Sequence, residues 1–186
     1  MDEICIRQIL DGDSEAFRQI ITKYKDMAYS LAMSVIKDEF YAEEILQSSF
    51  LIAYDKLSTF KGASKFSTWF YRIVINESFK YAKKHKTEFI DFVEVPPEIP
   101  SEIENAILKL EVDDQKYFIN EALKKISPKE SLILRLFYLD ENSIEEICME
   151  TGWSSSNIKV ILHRARINLK LILTEIYKLE KNELYE

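Results

Sequence analysis

Residues 66–86 read FSTWFYRIVINESFKYAKKHK. With Trp69 set at 0° and about 100° turned per residue, Phe70, Tyr71, Val74, Ile75, Ser78, Tyr81 and Ala82 gather on one side. Trp69, Arg72, Asn76, Lys80 and Lys83 share an arc of roughly 80° on the other side. The period is helical, so the stretch predicts an amphipathic helix whose outer stripe mixes an indole, an amide and cations. Between positions 61 and 86, seven lysines and arginines face one acid, Glu77, in a chain whose net charge is −7. The acidic whole contains a concentrated basic part.

The rest of the composition agrees with helices. The 186 residues are 47% hydrophobic and 31% charged and include only 3 Gly and 4 Pro, too few for a turn-rich sheet protein. Upstream, after the turn-forming Asp11, Gly12 and Asp13, Phe17, Ile20, Ile21, Tyr24, Ala28, Leu31 and Val35 recur at three- and four-residue steps. A second helical pattern runs from about Tyr41 to Leu57, with Phe50, Leu51 and Tyr54 spilling outside its apolar stripe. No run of about 18 apolar residues suggests a membrane span, and MDEICIRQIL lacks the order of a secretory leader. Cys5 and Cys148, far apart in sequence, read as reduced structural thiols of a cytoplasmic protein. The isolated His85 and His163 offer no metal spacing, and nothing points to a metal or cofactor.

Past Lys86 the composition turns over. Positions 87–121 hold ten acids and two lysines, and VEVPPEIP breaks any regular helix. The expected organisation is therefore all-α. An N-terminal helical domain (1–90) and a C-terminal one (115–186) flank an acidic, proline-containing linker (91–114). Helix starts are marked by three capping boxes, at Ser101 with Glu104, Ser127 with Glu130, and Ser143 with Glu146. Residues 144–150, the turn Thr151, Gly152 and Trp153, and a longer helix capped by Ser154 or Ser155 make a helix-turn-helix. Ile158, Ile161, Leu162, Ala165, Leu169 and Ile172 form its inner stripe, which leaves Ser156, Asn157, Lys159, Val160, His163 and Arg164 outward.

Two basic helical faces in an acidic protein point to a polyanion, because cations that displace counterions from phosphates supply affinity. The faces suit different targets. Short polar groups near a helix N-terminus, with Lys159 and Arg164 beside them, fit the major groove of duplex DNA. Trp69, Asn76 and the nearby Phe60 fit unstacked bases. No paired carboxylates in an apolar setting, phosphate loop or nucleophile motif stands out, which argues against an enzyme.

Residues 60–84, FKGASKFSTWFYRIVINESFKYAKK, resemble the promoter-melting helix and preceding loop of the extracytoplasmic-function (ECF) sigma factors of the sigma-70 superfamily. Residues 127–169 resemble the C-terminal domain of that family, and AEEILQSSFLIAYDKL (42–57) its polymerase-binding helix. The likeness spans about residues 10–175 in the family's order. It implies a subunit that binds bacterial core RNA polymerase and directs promoter-specific initiation, reading the −35 element as duplex and capturing the melted −10 element. Phe60 and Asn76 would then bind flipped bases with help from Lys61 and its loop, Trp69 would lie beside the melted strand, and Arg72, Lys80, Lys83 and Lys84 would touch phosphates. Lys159, Val160, His163 and Arg164 would face the −35 element, with Ser156 and Asn157 beside them. Glu44, Gln47, Phe50 and Leu51 would dock on the polymerase clamp. The resemblance also implies an anti-sigma factor as partner and no direct membrane insertion.

The chain departs from the family pattern in places. Tyr41 and Ser48 stand where acidic residues are common, and Ile161 where many members carry Arg. Val160 offers only apolar contact, for instance to a thymine methyl. The rival reading is a stand-alone helix-turn-helix regulator that dimerises through its N-terminal bundle. It accounts for residues 127–175 but gives no reason for Phe60, Trp69 and Asn76 beside a basic face.

Overall fold

The computed structural model describes residues 2–85 and 112–183, and every regular element among them is helical. The capping box at Ser101 and most of the linker lie outside the described residues. No helix among the described residues is long and apolar enough to cross a membrane.

The N-terminal half comprises α1 (Asp2–Leu10), α2 (Ala16–Ile36), α3 (Glu39–Asp55), a 3-10 turn (Leu57–Thr59) and α4 (Phe66–Lys84). Helix α2 buries Phe17, Ile20, Tyr24, Ala28, Leu31 and Val35, the three- and four-residue series seen in the sequence. Lys37 ends it in the left-handed conformation (φ 61°), and Asp38 starts α3 by accepting from the Tyr41 amide at 3.0 Å. Helix α4 closes the bundle with Phe66, Phe70, Val74, Ile75 and Ser78. Helix α1 precedes the turn at which the periodic pattern begins. It packs Cys5, Ile6 and Ile9 on α2 and is tied down by Asp2, whose carboxylate accepts from Lys23 and from the Tyr24 hydroxyl, each at 2.5 Å.

The C-terminal half comprises α5 (Val112–Lys125), α6 (Pro128–Leu134), a π-type turn (Arg135–Leu139), α7 (Ile144–Thr151) and α8 (Ser155–Glu183). Its two described capping boxes are formed: Glu130 accepts from the amide and hydroxyl of Ser127, and Glu146 from those of Ser143. The Glu130 box does more than start a helix. Its other carboxylate oxygen accepts from Asn168 of α8 at 2.7 Å, with both residues buried, so the cap also fixes the long helix of the helix-turn-helix.

The two halves pack directly on each other, α4 against α7 and α2 against α6. Along this seam the Phe79 and Trp153 rings lie 5.7 Å apart and Arg135 approaches the Met27 sulfur at 3.9 Å. Lys37 donates to the carbonyls of Lys124 (3.1 Å) and Ile126, placing a cation at the C-terminal end of α5. The Lys37 ammonium loses water there, which lowers its pKa to about 8.

Glu150 is also buried at the seam. Its carboxylate accepts from Asn142 at 3.0 Å, but burial first, then Asp140 and Glu146, raise its pKa from 4.5 to about 7. A raised carboxyl binds its proton more tightly folded than unfolded, so its contribution to stability falls as pH rises from 4.5 to about 7 and stays low above. Glu150→Gln keeps the acceptor for Asn142 and removes the charge. We expect it to raise the melting temperature relative to wild type at pH 8, with the difference shrinking to nothing by pH 5. An equal difference at both values would show that the carboxylate is not held near neutrality.

Candidate nucleic-acid interface

The stripe predicted on α4 is present. Arg72, Asn76, Lys80, Lys83 and Lys84 are exposed, and Lys61 and Lys65 are exposed on the loop that enters the helix. Trp69 is half-buried where the sequence suggested an open indole. Its ring sits 5.5 Å from Phe60 and 5.6 Å from Phe66, and Phe60 meets Phe66 edge-on at 5.7 Å. The buried Phe66 thus props up two half-exposed rings at the start of α4. Asn76 lies two turns further along, about 10 Å at 1.5 Å per residue. Half-buried rings lose little freedom when a base stacks on them, since packing already fixes their rotamers.

Not every cation on the stripe is equally available. Lys80 pairs with Glu77 at 3.2 Å. The Arg72 guanidinium lies against the helix-turn-helix: a methyl group on Gly152 would come within 2.8 Å of its Nη2. Gly152 caps α7 with φ 74°, a left-handed conformation that side chains adopt at a cost. On the other side of α4 from the stripe, Tyr81 stacks on His85 at 4.1 Å and Tyr41 lies tilted against Tyr81 at 4.9 Å. Tyr41, which sequence reasoning treated only as a missing acid, joins this cluster.

The second face lies at the start of α8. Ser154 is the cap, its Oγ accepting from the Asn157 amide at 3.3 Å. Ser156, Asn157, Lys159, Val160, His163 and Arg164 are all exposed, while Ile158, Leu162, Ala165 and Ile172 are buried beneath them. Ile161 and Leu169, expected on the inner stripe, are only half-buried, and Asn168 occupies it instead. Arg166 is committed elsewhere, donating to the Tyr138 hydroxyl at 2.7 Å with its guanidinium 5.6 Å from the Phe137 ring centre.

On α3 the expected docking set needs one correction. Glu44, Gln47 and Leu51 are exposed, but Phe50 is only 6% exposed. Its ring stacks on Phe70 at 4.6 Å and meets Phe17 edge-on at 6.2 Å, so it belongs to the core. Phe40 and Tyr54 complete the outer stripe, since Phe40, Glu44, Gln47, Leu51 and Tyr54 fall within roughly 80° of one another at 100° per residue. Tyr54 was visible as a residue outside the apolar stripe; Phe40 gave no signal, because it sits at the helix start before any period is established.

Comparison with known proteins matches this division. The Sigma-70 region 2 family covers residues 20–88 and the Sigma-70, region 4 family residues 118–169. The ECF RNA polymerase sigma factor SigW of Bacillus subtilis is 30% identical over 182 residues, spanning 92% of this chain and 96% of SigW. The chain belongs to the ECF sigma factors. SigM of Bacillus subtilis is 27% identical across 83% of this sigma factor and 93% of its own length. Two solved structures share the fold: CnrH in complex with the cytosolic domain of CnrY (TM-score 0.59, 18% identity, 92% of this chain and 96% of that one) and RpoE with the anti-sigma factor NepR from Bartonella quintana (TM-score 0.61, 22% identity, 84% and 96%).

Proposed function

We propose that this sigma factor binds core RNA polymerase through the outer stripe of α3, captures melted −10 bases with Phe60, Trp69 and Asn76, and reads the −35 duplex with the start of α8. Residues 1–90 act as the polymerase-binding and melting domain, 91–114 as linker, and 115–186 as the upstream-reading domain. The observation that carries this reading is the coexistence of two exposed cationic faces, one beside propped aromatic rings and one at a helix N-terminus. The protein works as a cytoplasmic initiation subunit with no catalysis of its own. The partners named for the structural neighbours support an anti-sigma factor as its inhibitor.

The packed arrangement carries a requirement of its own. Elements centred near −10 and −35 are about 25 base pairs apart, roughly 85 Å of B-DNA at 3.4 Å per pair. With Phe79 of α4 and Trp153 at the foot of α8 only 5.7 Å apart, the two faces cannot span that distance. Binding a promoter through both faces therefore requires α4 and α7 to part.

The deciding experiment is transcription of host DNA by core polymerase with and without the protein, mapping RNA starts. New starts sharing an upstream motif support the reading; none, with tight core-free duplex binding, would favour the regulator. On a promoter so found, Lys159→Ala with Arg164→Ala is expected to weaken upstream binding about 10- to 100-fold and to flatten the salt dependence by up to two phosphate contacts. An unchanged slope would remove both residues from the DNA contact.

A further inference from the structure

The two halves bury acid where they meet. On the C-terminal side Glu150 of α7 is 7% exposed, and so is the side chain of Asp140, which follows the π-type turn. Tyr71 of α4 faces them from the N-terminal side. Burial, then the charges of Tyr24, Glu150, Asp140 and Asp2, raise the pKa of its hydroxyl, so both carboxyls of one half lie within electrostatic reach of the other. Met27 of α2 meets the same cluster through Arg135, at 3.9 Å.

The surrounding cations leave this acid poorly balanced. Arg135 reaches Asp140 at 3.3 Å through Nη2, yet the Arg135 Nε and the Asp140 Oδ2 are buried without a hydrogen-bond partner. Arg166 of α8 is held by the Tyr138 hydroxyl at 2.7 Å, and Arg72 of α4 lies against Gly152. The charges that bear on Glu150 are those of Asp140 and Glu146, both of its own sign, and the hydrogen bond from Asn142 does not offset them and burial. A carboxylate ionised in such a place is relieved by water, whereas the neutral acid has far less to gain from it. Water reaches this site when α4 and α7 part.

We infer that the proton on Glu150 is a latch for this seam: the halves of the free chain stay packed while Glu150 is protonated and part more readily once it ionises. In the packed form the carboxyl titrates at about 7, and exposure by parting returns it to its ordinary 4.5. The packed form therefore binds the proton more tightly, is favoured at low pH, and loses that advantage as pH rises from 4.5 to about 7. Asp140, also raised by burial, acts in the same sense. Lys37, elsewhere on the seam, acts in the opposite one. Burial against α5 lowers it to about 8, so it favours packing as pH rises from about 8 to 10.5. Together the two signs confine easy opening to roughly pH 7–8. Opening does not depend on the promoter reading; it rests on that reading only in its consequence, that parting frees Arg72 for a phosphate.

Energy transfer between two dyes on the free, full-length protein tests the latch. Lys56→Cys at the end of α3 and Glu175→Cys on α8, both exposed positions, carry the dyes in a Cys148→Ser background, where the remaining Cys5 is buried. We expect transfer to fall as pH rises from 5.5 to 7.5, with the opening constant up about 10-fold, while far-UV circular dichroism stays constant. Glu150→Gln keeps the acceptor for Asn142 and cannot ionise, so it should cut that change to about twofold or less. A flat wild-type profile, or a slope that survives in Glu150→Gln, would overturn the inference. Helicity lost in step with transfer would overturn it too, since the halves would then be unfolding and not parting. None of these results bears on transcription start sites, so the promoter reading stands or falls separately.

Discussion

Open-complex formation on a cognate promoter is expected to drop about 10- to 100-fold in Trp69→Ala and by a similar factor in Asn76→Ala, with core-polymerase binding unchanged in both. The range follows from stacking of one base on an aromatic ring, about 1–3 kcal/mol, and each 1.4 kcal/mol is tenfold. The two variants fail for different reasons, and that makes them informative together. Asn76 is exposed on α4, so its removal should leave the melting temperature where it was. Trp69 is half-buried on Phe60 and Phe66, so its loss also loosens the ring cluster. Trp69→Phe separates the two effects: it refills much of the cluster and still offers a ring, and it should recover most of the activity. Permanganate reactivity of unpaired thymines reads the outcome directly. Wild-type reactivity in both alanine variants would remove this end of α4 from base capture.

The second large effect falls on neighbouring residues that differ in direction. Phe50→Ala is expected to cost about 3–5 kcal/mol of folding stability, a sizeable part of the 5–15 kcal/mol typical of a domain. Phe50 fills the centre of the N-terminal bundle between Phe17 and Phe70, and its removal leaves a cavity that those rings cannot collapse into. Leu51→Ala, at a position 68% exposed, should change stability by less than about 0.5 kcal/mol but weaken association with core polymerase. Urea unfolding gives the first quantity and a core-binding titration the second. If Leu51→Ala were the destabilising variant, or Phe50→Ala the one that only weakened docking, the assignment of this face of α3 would be reversed.

Phe50 and Leu51 also mark how far the sequence could be read. Helices α2, α4 and α8 were legible because each carries an apolar period, and the starts of α6 and α7 because Ser127 and Ser143 announce themselves with a Glu three residues on, whereas α1 and α5 were not read from the sequence. The exposed members of the candidate site were legible for the same reason: Asn76, Lys83, Lys159 and Arg164 lie opposite the buried stripes of α4 and α8. Which of two adjacent apolar residues on α3 turns inward was not legible, since it depends on Phe17 and Phe70 arriving from other helices. Long-range contacts were hidden too. Nothing local in Asn168 reveals that it will meet the Glu130 carboxylate, and nothing local in Lys37 reveals that it will sit on the end of α5. Such pairs join residues far apart in sequence, where periodicity is silent.

The contact between Arg72 and Gly152 bears on how such proteins can be recombined. A guanidinium on one half rests where any side chain on the other would intrude, at a turn whose φ of 74° already favours glycine. The halves are thus matched parts, not interchangeable cassettes. A hybrid joining this N-terminal half to a foreign C-terminal half keeps both reading faces, yet it inherits whatever residue the donor carries at that turn. Any other residue there would displace the Arg72 guanidinium and hold a backbone conformation that side chains adopt at a cost, so the seam of such a hybrid would meet differently at this turn. Choosing donors with glycine at that position preserves this contact, and choosing donors without it makes the Arg72 guanidinium take another seat.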